Sequence, residues 1–319
     1  MANYVTIDGG TTNTRLNLII SDRIVDGVKL SIGARNGAEN NSEYKKSIKN
    51  GIDELISRNK LEKEGIEAII CSGMITSEGG LFELAHIQAP AGIEELSASL
   101  FKTAIREISD VPFVFIPGVK LLGDELYTDM MRGEETELYG LFDEPLSDAL
   151  YVLPGSHLKL IKTDRKGRIT SFSTSLSGEM TAALSEGTIL RGSLNFADSE
   201  IDEEYLKKGC DYALKKGINT ALFKVRILDK ALCRSKDEVY SFFLGAILSS
   251  DYSNILSLPE NTVVIGGKAA LRNAFALLLR DSGKRIIAVD DATVEISTAI
   301  GAMRIYNKHL ETVENGKTL

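Results

Sequence analysis

Cysteine, histidine and net positive charge are scarce in this chain of 319 residues, and each scarcity excludes something. The three cysteines, Cys71, Cys210 and Cys233, lie far apart and form no CxxC pair. They point away from a disulfide framework and toward a reducing compartment. The three histidines, His86, His157 and His309, have no metal-ligand spacing. A formal net charge of −8 argues against a nucleic-acid or anionic-membrane binder. No basic segment followed by an apolar one opens the chain, so no signal peptide is expected. No apolar run approaches the length that spans a bilayer, and the expected location is the cytoplasm. GxSxG is missing, which removes the usual serine-hydrolase signature. GxGxxG after a strand is missing as well, so a dinucleotide fold has no support. Gly266-Gly267-Lys268 is not a Walker A loop, because the spacing is wrong and Ala269 stands where Ser or Thr is needed.

What is present begins with Tyr4 to Arg15, YVTIDGGTTNTR. Apolar β-branched residues enter Asp8-Gly9-Gly10, hydroxyl residues follow, and Leu16 to Ile20 resume an apolar pattern. This reads as strand, tight turn and strand. Adjacent glycines let backbone N–H groups approach a ligand, and N–H groups beside hydroxyls suit a phosphate chain. Asp8, at the strand end, is placed to hold Mg²⁺ directly or through water. The plainer alternative is an ordinary hairpin.

Downstream, the pattern predicts a strand over Ile24 to Leu30, a polar loop over Gly33 to Asn41, and a helix whose Tyr44, Ile48, Ile52, Leu55 and Ile56 share one face. A buried strand over Ile66 to Cys71 leads into the loop Ser72 to Gly80. Such loops often bind ligands in open α/β sheets. A helix over Gly92 to Ile108 and a strand over Pro112 to Ile116 are expected next. This alternation is that of an α/β protein, and the length favours two domains. Met131 to Leu138, MRGEETEL, should open a helix running to about Phe142. Tyr151 to Ile161 then repeats the plan of the opening hairpin, which suggests two domains of similar topology with a boundary near Glu144-Pro145. Residues 1–145 and 146–319 are the expected domains. In the second half, helices are expected over 178–190, 203–216, 239–256, 269–280 and 293–306, with strands over 262–265 and 286–289.

Taken alone, Glu134 and Glu135 could be ordinary helix N-terminal acids, which the macrodipole favours. His157 could be a hydrogen-bonded turn residue. Gly266-Gly267 could be a plain strand-to-helix turn, or could let the backbone pass close to a base or ribose.

The loop DGGTT, the second hairpin and the late VVIGG turn together resemble the actin-like ATPase superfamily of sugar kinases, acetate kinase and hsp70. MRGEET, PGSHLK and SGEM, in this order, resemble the 2-dehydro-3-deoxygalactonokinase family, whose motifs read MRGEETQ, PGTHxKW and TGE. Glu137, Ser156, Leu160 and Ser177 stand where that family has Gln, Thr, Trp and Thr. Its first loop usually reads DWGSTN, so Gly9 replaces a Trp. CSGMITSEGG resembles its AGMxGS segment.

The resemblance implies two RNase H-like α/β domains with an interdomain cleft. It implies ATP-dependent phosphorylation of the 6-hydroxyl of a small sugar acid, 2-dehydro-3-deoxy-D-galactonate, with Mg²⁺ at Asp8. Gly9, Gly10, Thr11, Thr12 and Asn13 would meet the phosphates. Gly155, Ser156 and His157 would close on them, with Lys159 as a nearby cation, and Gly266 and Gly267 would border the adenosine. The substrate candidates are Arg132, Arg15, Ser72, Gly73, Met74 and Ser77, with Arg132 as reader of the carboxylate. Glu135 leads as general base, followed by Glu134, and His157 is next to test. No nucleic-acid or membrane partner is implied. The assembly is left open, a homodimer among the options. The alternatives are a kinase for another keto-deoxy acid such as 2-dehydro-3-deoxygluconate, a nucleotide-switched regulatory protein, and a polyphosphate hydrolase, whose GxEEA segment resembles Gly133 to Thr136 but whose GGGS loop does not match Pro154 to His157.

Overall fold

The computed structural model describes residues 3–194 and 199–316. In chain order its elements are β1 (Asn3–Gly9), β2 (Thr14–Ile20), β3 (Arg23–Leu30), α1 (Ala34–Glu39), α2 (Asn41–Arg58), β4 (Ala68–Gly73), β5 (Ile87–Gln88), α3 (Ile93–Ala98), β6 (Phe101–Ile105), β7 (Ser109–Phe115), β8 (Val119–Leu121), β9 (Asp129–Met131) and α4 (Glu134–Gly140). There follow β10 (Ala149–Leu153), β11 (Leu158–Thr163), β12 (Ile169–Ser175), α5 (Ser177–Gly187), α6 (Glu203–Lys216), α7 (Ile218–Lys230), α8 (Lys236–Ser257), β13 (Thr262–Ile265), α9 (Ala269–Leu279), β14 (Arg285–Ala288) and α10 (Asp291–Gly316). Among the described residues no helix is long and apolar enough to cross a membrane.

The chain forms two units. The first takes residues up to Ser147, Thr163–Ser171 and everything from Ala292 on; the second takes Asp148–Lys162 and Phe172–Asp291. In the first unit the main sheet has the order β3-β2-β1-β4-β7-β6. β1 pairs antiparallel with β2 and parallel with β4. An interior strand buries both faces, which is why Tyr4 to Ile7 are all buried. α2 lays Tyr44, Ile48, Ile52, Leu55 and Ile56 into one core with Val5, Ile7, Leu16 and Leu18, as the helical spacing requires. A three-stranded sheet, β5-β8-β9, lies in this unit as well.

The second unit is built on the order β12-β11-β10-β13-β14. β10 again pairs antiparallel with the next strand and parallel with a later one. The expected pair of similar topologies is therefore present, strand for strand, in the first five positions of each sheet. α8 is apolar on most sides and buried along most of its length, and it forms the spine of the core with α6, α9 and the sheet.

Four expectations need correction. The helix predicted over Gly92 to Ile108 ends at Ala98, and Phe101–Ile105 is a strand paired with β7. Phe101 stacks on Phe82 at 4.5 Å, so pairing and aromatic packing override a helical spacing. The polar loop over 33–41 contains α1. α7 was not anticipated. The C-terminal helix groups with the first unit instead of the second half. Its Gly301 packs so closely on α4 that an added Cβ would lie 1.9 Å from the Thr136 carbonyl. Arg304 donates to the carbonyls of Tyr139 and Phe142 and pairs with Asp143, and Tyr306 packs edge-on against Tyr4.

Candidate active site

In the first unit the candidate residues gather at the C-terminal ends of β1 and β4. These parallel strands place Asp8 opposite Ser72 and Gly9 opposite Gly73. The turn after β1 is closed by Gly10 N–H donating to the Asn13 carbonyl at 2.9 Å. Thr11, Thr12 and Asn13 are exposed. The Gly10 and Thr11 carbonyls accept from Ala34 N–H and Arg35 N–H of α1, so the helix absent from the sequence reading braces this turn. Gly9 has a packing role. A Cβ there would lie 2.5 Å from the Ile75 Cβ, so its lack of a side chain makes room for Ile75.

Asp8 sits in the centre of this edge. Burial raises its pKa, the Arg15 guanidinium opposes that, and the charge of Glu134 adds to it. Arg15 lies 4.0 Å from the Asp8 carboxylate and is half exposed. Ser72 is buried beside them in register, and its hydroxyl has no hydrogen-bond partner among the described residues. Gly73 has φ +77°, and a Cβ there would come within 3.2 Å of Asp8 Oδ1. The next layer is Gly133 at φ +115°, where a Cβ would fall 3.2 Å from the Gly73 Cα. Two glycines in the left-handed region thus stack the start of α4 on the end of β4, and this is what brings Glu134 within electrostatic reach of Asp8.

The two acids differ sharply. Glu135 is fully buried, and both its oxygens accept from Gly133 N–H, at 2.8 and 2.9 Å. Burial and then the charge of Glu134 push its pKa up to about 8. Glu134 is half-buried, and its Oε2 accepts from Arg132 N–H at 3.0 Å. Glu137 is partly buried.

Arg132 also departs from its expected role. Its Nη1 donates to the Thr76 carbonyl and hydroxyl, and its Nη2 donates to the Leu84 carbonyl at 2.8 Å and meets His86 Nδ1 at 3.2 Å. Four of the five N–H hydrogens of a guanidinium are engaged within its own unit. Met74 to Thr76 form a single 3-10 turn, closed by Ser77 Oγ–H donating to the Met74 carbonyl. Arg132 therefore ties the Ser72–Ser77 loop to the start of α4.

In the second unit a parallel arrangement lies at the ends of β10 and β13. Gly266 N–H donates to the Val152 carbonyl, and Lys268 N–H to the Pro154 carbonyl. Gly267 has φ +66°, and a Cβ there would strike the Pro154 carbonyl at 2.3 Å. The hairpin turn and the Gly-Gly turn are thus one packed structure. Ser156 and His157 are exposed, and His157 lies 3.8 Å from Glu179. Lys159, expected to be a cation near phosphates, is 4% exposed and donates to Thr174 Oγ1 at 2.5 Å. Strand alternation puts it on the face of β11 opposite Leu158 and Leu160, which belong to the core. Leu160, in place of the family's Trp, is part of the core.

Two residues escaped the sequence reading. Arg272 is buried, donates to the Gly267 carbonyl and pairs with Asp291. Asp251 is buried on α8. The only available signal was a charge in an otherwise apolar helical pattern. Among the described residues, no three His, Cys, Asp or Glu side chains are grouped to hold a metal ion by themselves.

Comparison with known proteins bears on the family and the fold. The 2-dehydro-3-deoxygalactonokinase of Escherichia coli (strain K12) is 25% identical over 261 residues, covering 80% of each chain. The crystal structure of a Sinorhizobium meliloti protein provisionally described as a 2-dehydro-3-deoxygalactonokinase superposes with TM-score 0.77 at 23% identity, over 95% of this chain and 99% of that one. The activator of 2-hydroxyisocaproyl-CoA dehydratase from Clostridium difficile, solved with ADPNP, shares the fold at TM-score 0.53 and 14% identity, over 99% and 98% of the two chains. The profile of the 2-keto-3-deoxy-galactonokinase family matches residues 8–301, which take in both hairpin turns, the acid pair and the Gly-Gly turn, and the chain belongs to that family.

Proposed function

We propose that this protein transfers the γ-phosphoryl group of ATP to the 6-hydroxyl of 2-dehydro-3-deoxy-D-galactonate. The observation that carries the reading is the family match across residues 8–301. The substrate oxygen attacks the γ-phosphorus, the bond to the β-bridging oxygen breaks, and ADP leaves. Such transfer depends on positioning, charge neutralisation and an oriented nucleophile.

Thr11, Thr12 and Asn13, exposed on a braced turn, are assigned to the β- and γ-phosphates. Gly155, Ser156 and His157 are assigned to phosphate recognition in the second unit, and Gly266 and Gly267 to the adenosine. Asp8 and the unpartnered Ser72 hydroxyl fit a hydrated Mg²⁺, which takes one or two carboxylates and keeps several waters. Bound there, the ion would neutralise phosphate charge. Glu134 is assigned as the acid that orients the hydroxyl and accepts its proton, because it is half-buried and beside Asp8. Glu135, ranked first from sequence, is sealed from solvent and is given a supporting place. The loop Ser72–Ser77, held by Arg132, is assigned to the sugar acid, with Arg15 as the exposed cation on the same edge.

A panel of keto-deoxy sugar acids with ATP tests this. The galactonate form should stimulate ADP release most and yield the 6-phosphate. Equal turnover of the gluconate form would broaden the substrate. Acid-independent ATP turnover or polyphosphate hydrolysis would overturn the kinase reading.

A further inference from the structure

We propose that Asp251 is a positioning residue for the phosphate-recognition turn Pro154 to His157, an inference that rests on the role just given to that turn. α5 begins at Ser177, and its N-cap, Leu176, supplies no side-chain hydrogen bond. A helix start normally needs a capping acceptor to hold its first turn. Here the anchor comes from another helix. The Asp251 carboxylate on α8 accepts from Ser177 Oγ–H. The Ser175 hydroxyl lies 3.1 Å from the Ser177 hydroxyl. Asp251 is 2% exposed, with Ile247, Leu248 and Ile255 of the same helix also buried. Burying a carboxylate among such residues is costly unless it is hydrogen-bonded, and the Ser177 hydroxyl is its partner.

What Ser177 fixes is the hairpin turn. At Gly178 an added Cβ would lie 1.9 Å from the Gly155 carbonyl and 2.8 Å from the Ser156 carbonyl. Glu179 N–H donates to the Ser156 carbonyl at 2.9 Å, and the Glu179 carboxylate lies 3.8 Å from His157. The first turn of α5 is therefore the seat of the hairpin tip. Asp251 touches neither the tip nor any ligand assigned to it. It acts through Ser177.

The test uses the full chain with Asp251→Ala, Asp251→Asn and Ser177→Ala. Hydrogen exchange reads the turn itself, without any ligand. Asp251→Ala and Ser177→Ala should speed exchange at Glu179 and across the 154–158 segment while the β1–β2 turn is unchanged. Calorimetry with ATP alone should show affinity weakened by about tenfold or more, the scale of a lost charge-assisted hydrogen bond, and Asp251→Asn should recover part of it. The KM for the sugar acid should stay within about twofold, since uniform loss would mean general damage. If Asp251→Ala does not fold, Ser177→Ala decides alone. Unchanged exchange at 154–158 in a folded variant overturns the proposal, as does an equal weakening toward ATP and sugar acid. A parent protein that binds ATP but phosphorylates a different acceptor would correct the substrate and leave this role standing.

Discussion

Replacing Glu135 by Gln should change how stability depends on pH, and by an amount the structure sets. Glu135 is fully buried. Arg132, the adjacent cation, directs its guanidinium to Thr76, Leu84 and His86 instead of to this carboxylate. Two contacts from Gly133 N–H and one from the Thr136 hydroxyl at 3.3 Å do not offset the loss of water, and the pKa rises from 4.5 to about 8. The folded state therefore keeps a proton that the unfolded chain releases. Its contribution is fully present below about 4.5, falls as pH climbs through the window, and is gone above about 8. At roughly 1.36 kcal/mol per pH unit, that interval amounts to about 5 kcal/mol.

Gln cannot ionise and keeps an oxygen for Gly133. Its stability relative to the parent should therefore rise by about 5 kcal/mol between pH 4.5 and pH 8.5. Urea unfolding followed by circular dichroism at four pH values across this range measures the difference, and the other titrating groups cancel in the comparison. Parallel curves for parent and variant would show that Glu135 is ionised in the folded protein, and Glu135 would return as a candidate proton acceptor beside Glu134.

Glu134→Gln should lower kcat by about 10²–10⁴-fold while ATP affinity measured by calorimetry stays close to the parent; near-normal turnover would place the proton acceptor elsewhere, with His157 next to be tried. Asp8→Asn should fold normally and lose turnover by on the order of 10²-fold or more at ordinary Mg²⁺, and parent-like kinetics would remove Asp8 from the metal role. Arg132→Ala should cost on the order of 3 kcal/mol in a thermal or urea melt, because it strips buried carbonyls of their donors, and Arg132→Lys should not restore it, since an ammonium lacks the planar fork; a fully stable Arg132→Ala would return Arg132 to the list of substrate readers.

Much of the fold was legible because its signals are local. β-branched residues entering Asp8-Gly9-Gly10 specify a hairpin, and Tyr44, Ile48, Ile52 and Ile56 specify a helix face whatever surrounds them. The failures are places where partners distant in sequence decide. Phe101 to Ile105 has a spacing that fits a helix, and only Phe82 and β7 make it a strand. β5, β8 and β9 have two or three residues each, too few for any periodicity to show. The grouping of α10 with the first unit depends on the close approach of Gly301 to Thr136, which no pattern within either helix announces.

The candidate site was legible in position more than in role, and the reason is burial. A motif gathers residues that meet a ligand and residues that hold those residues in place, and the letters do not separate them. MRGEE contains both kinds. Arg132 and Glu135 are turned inward onto their own unit, and Glu134 alone of the three keeps a half-buried carboxylate beside Asp8. PGSHLK divides in the same way, with Ser156 and His157 at the exposed tip and Lys159 buried on β11. The inward members still bear on chemistry. Arg132 reaches Thr76 and Leu84 on one side, and its own N–H contacts Glu134 on the other. The loop assigned to the sugar acid and the acid assigned to its hydroxyl are therefore held by one residue, the loop by its guanidinium and Glu134 by its backbone N–H. The part assigned to substrate position and the part assigned to proton acceptance thus meet at Arg132, within the first unit.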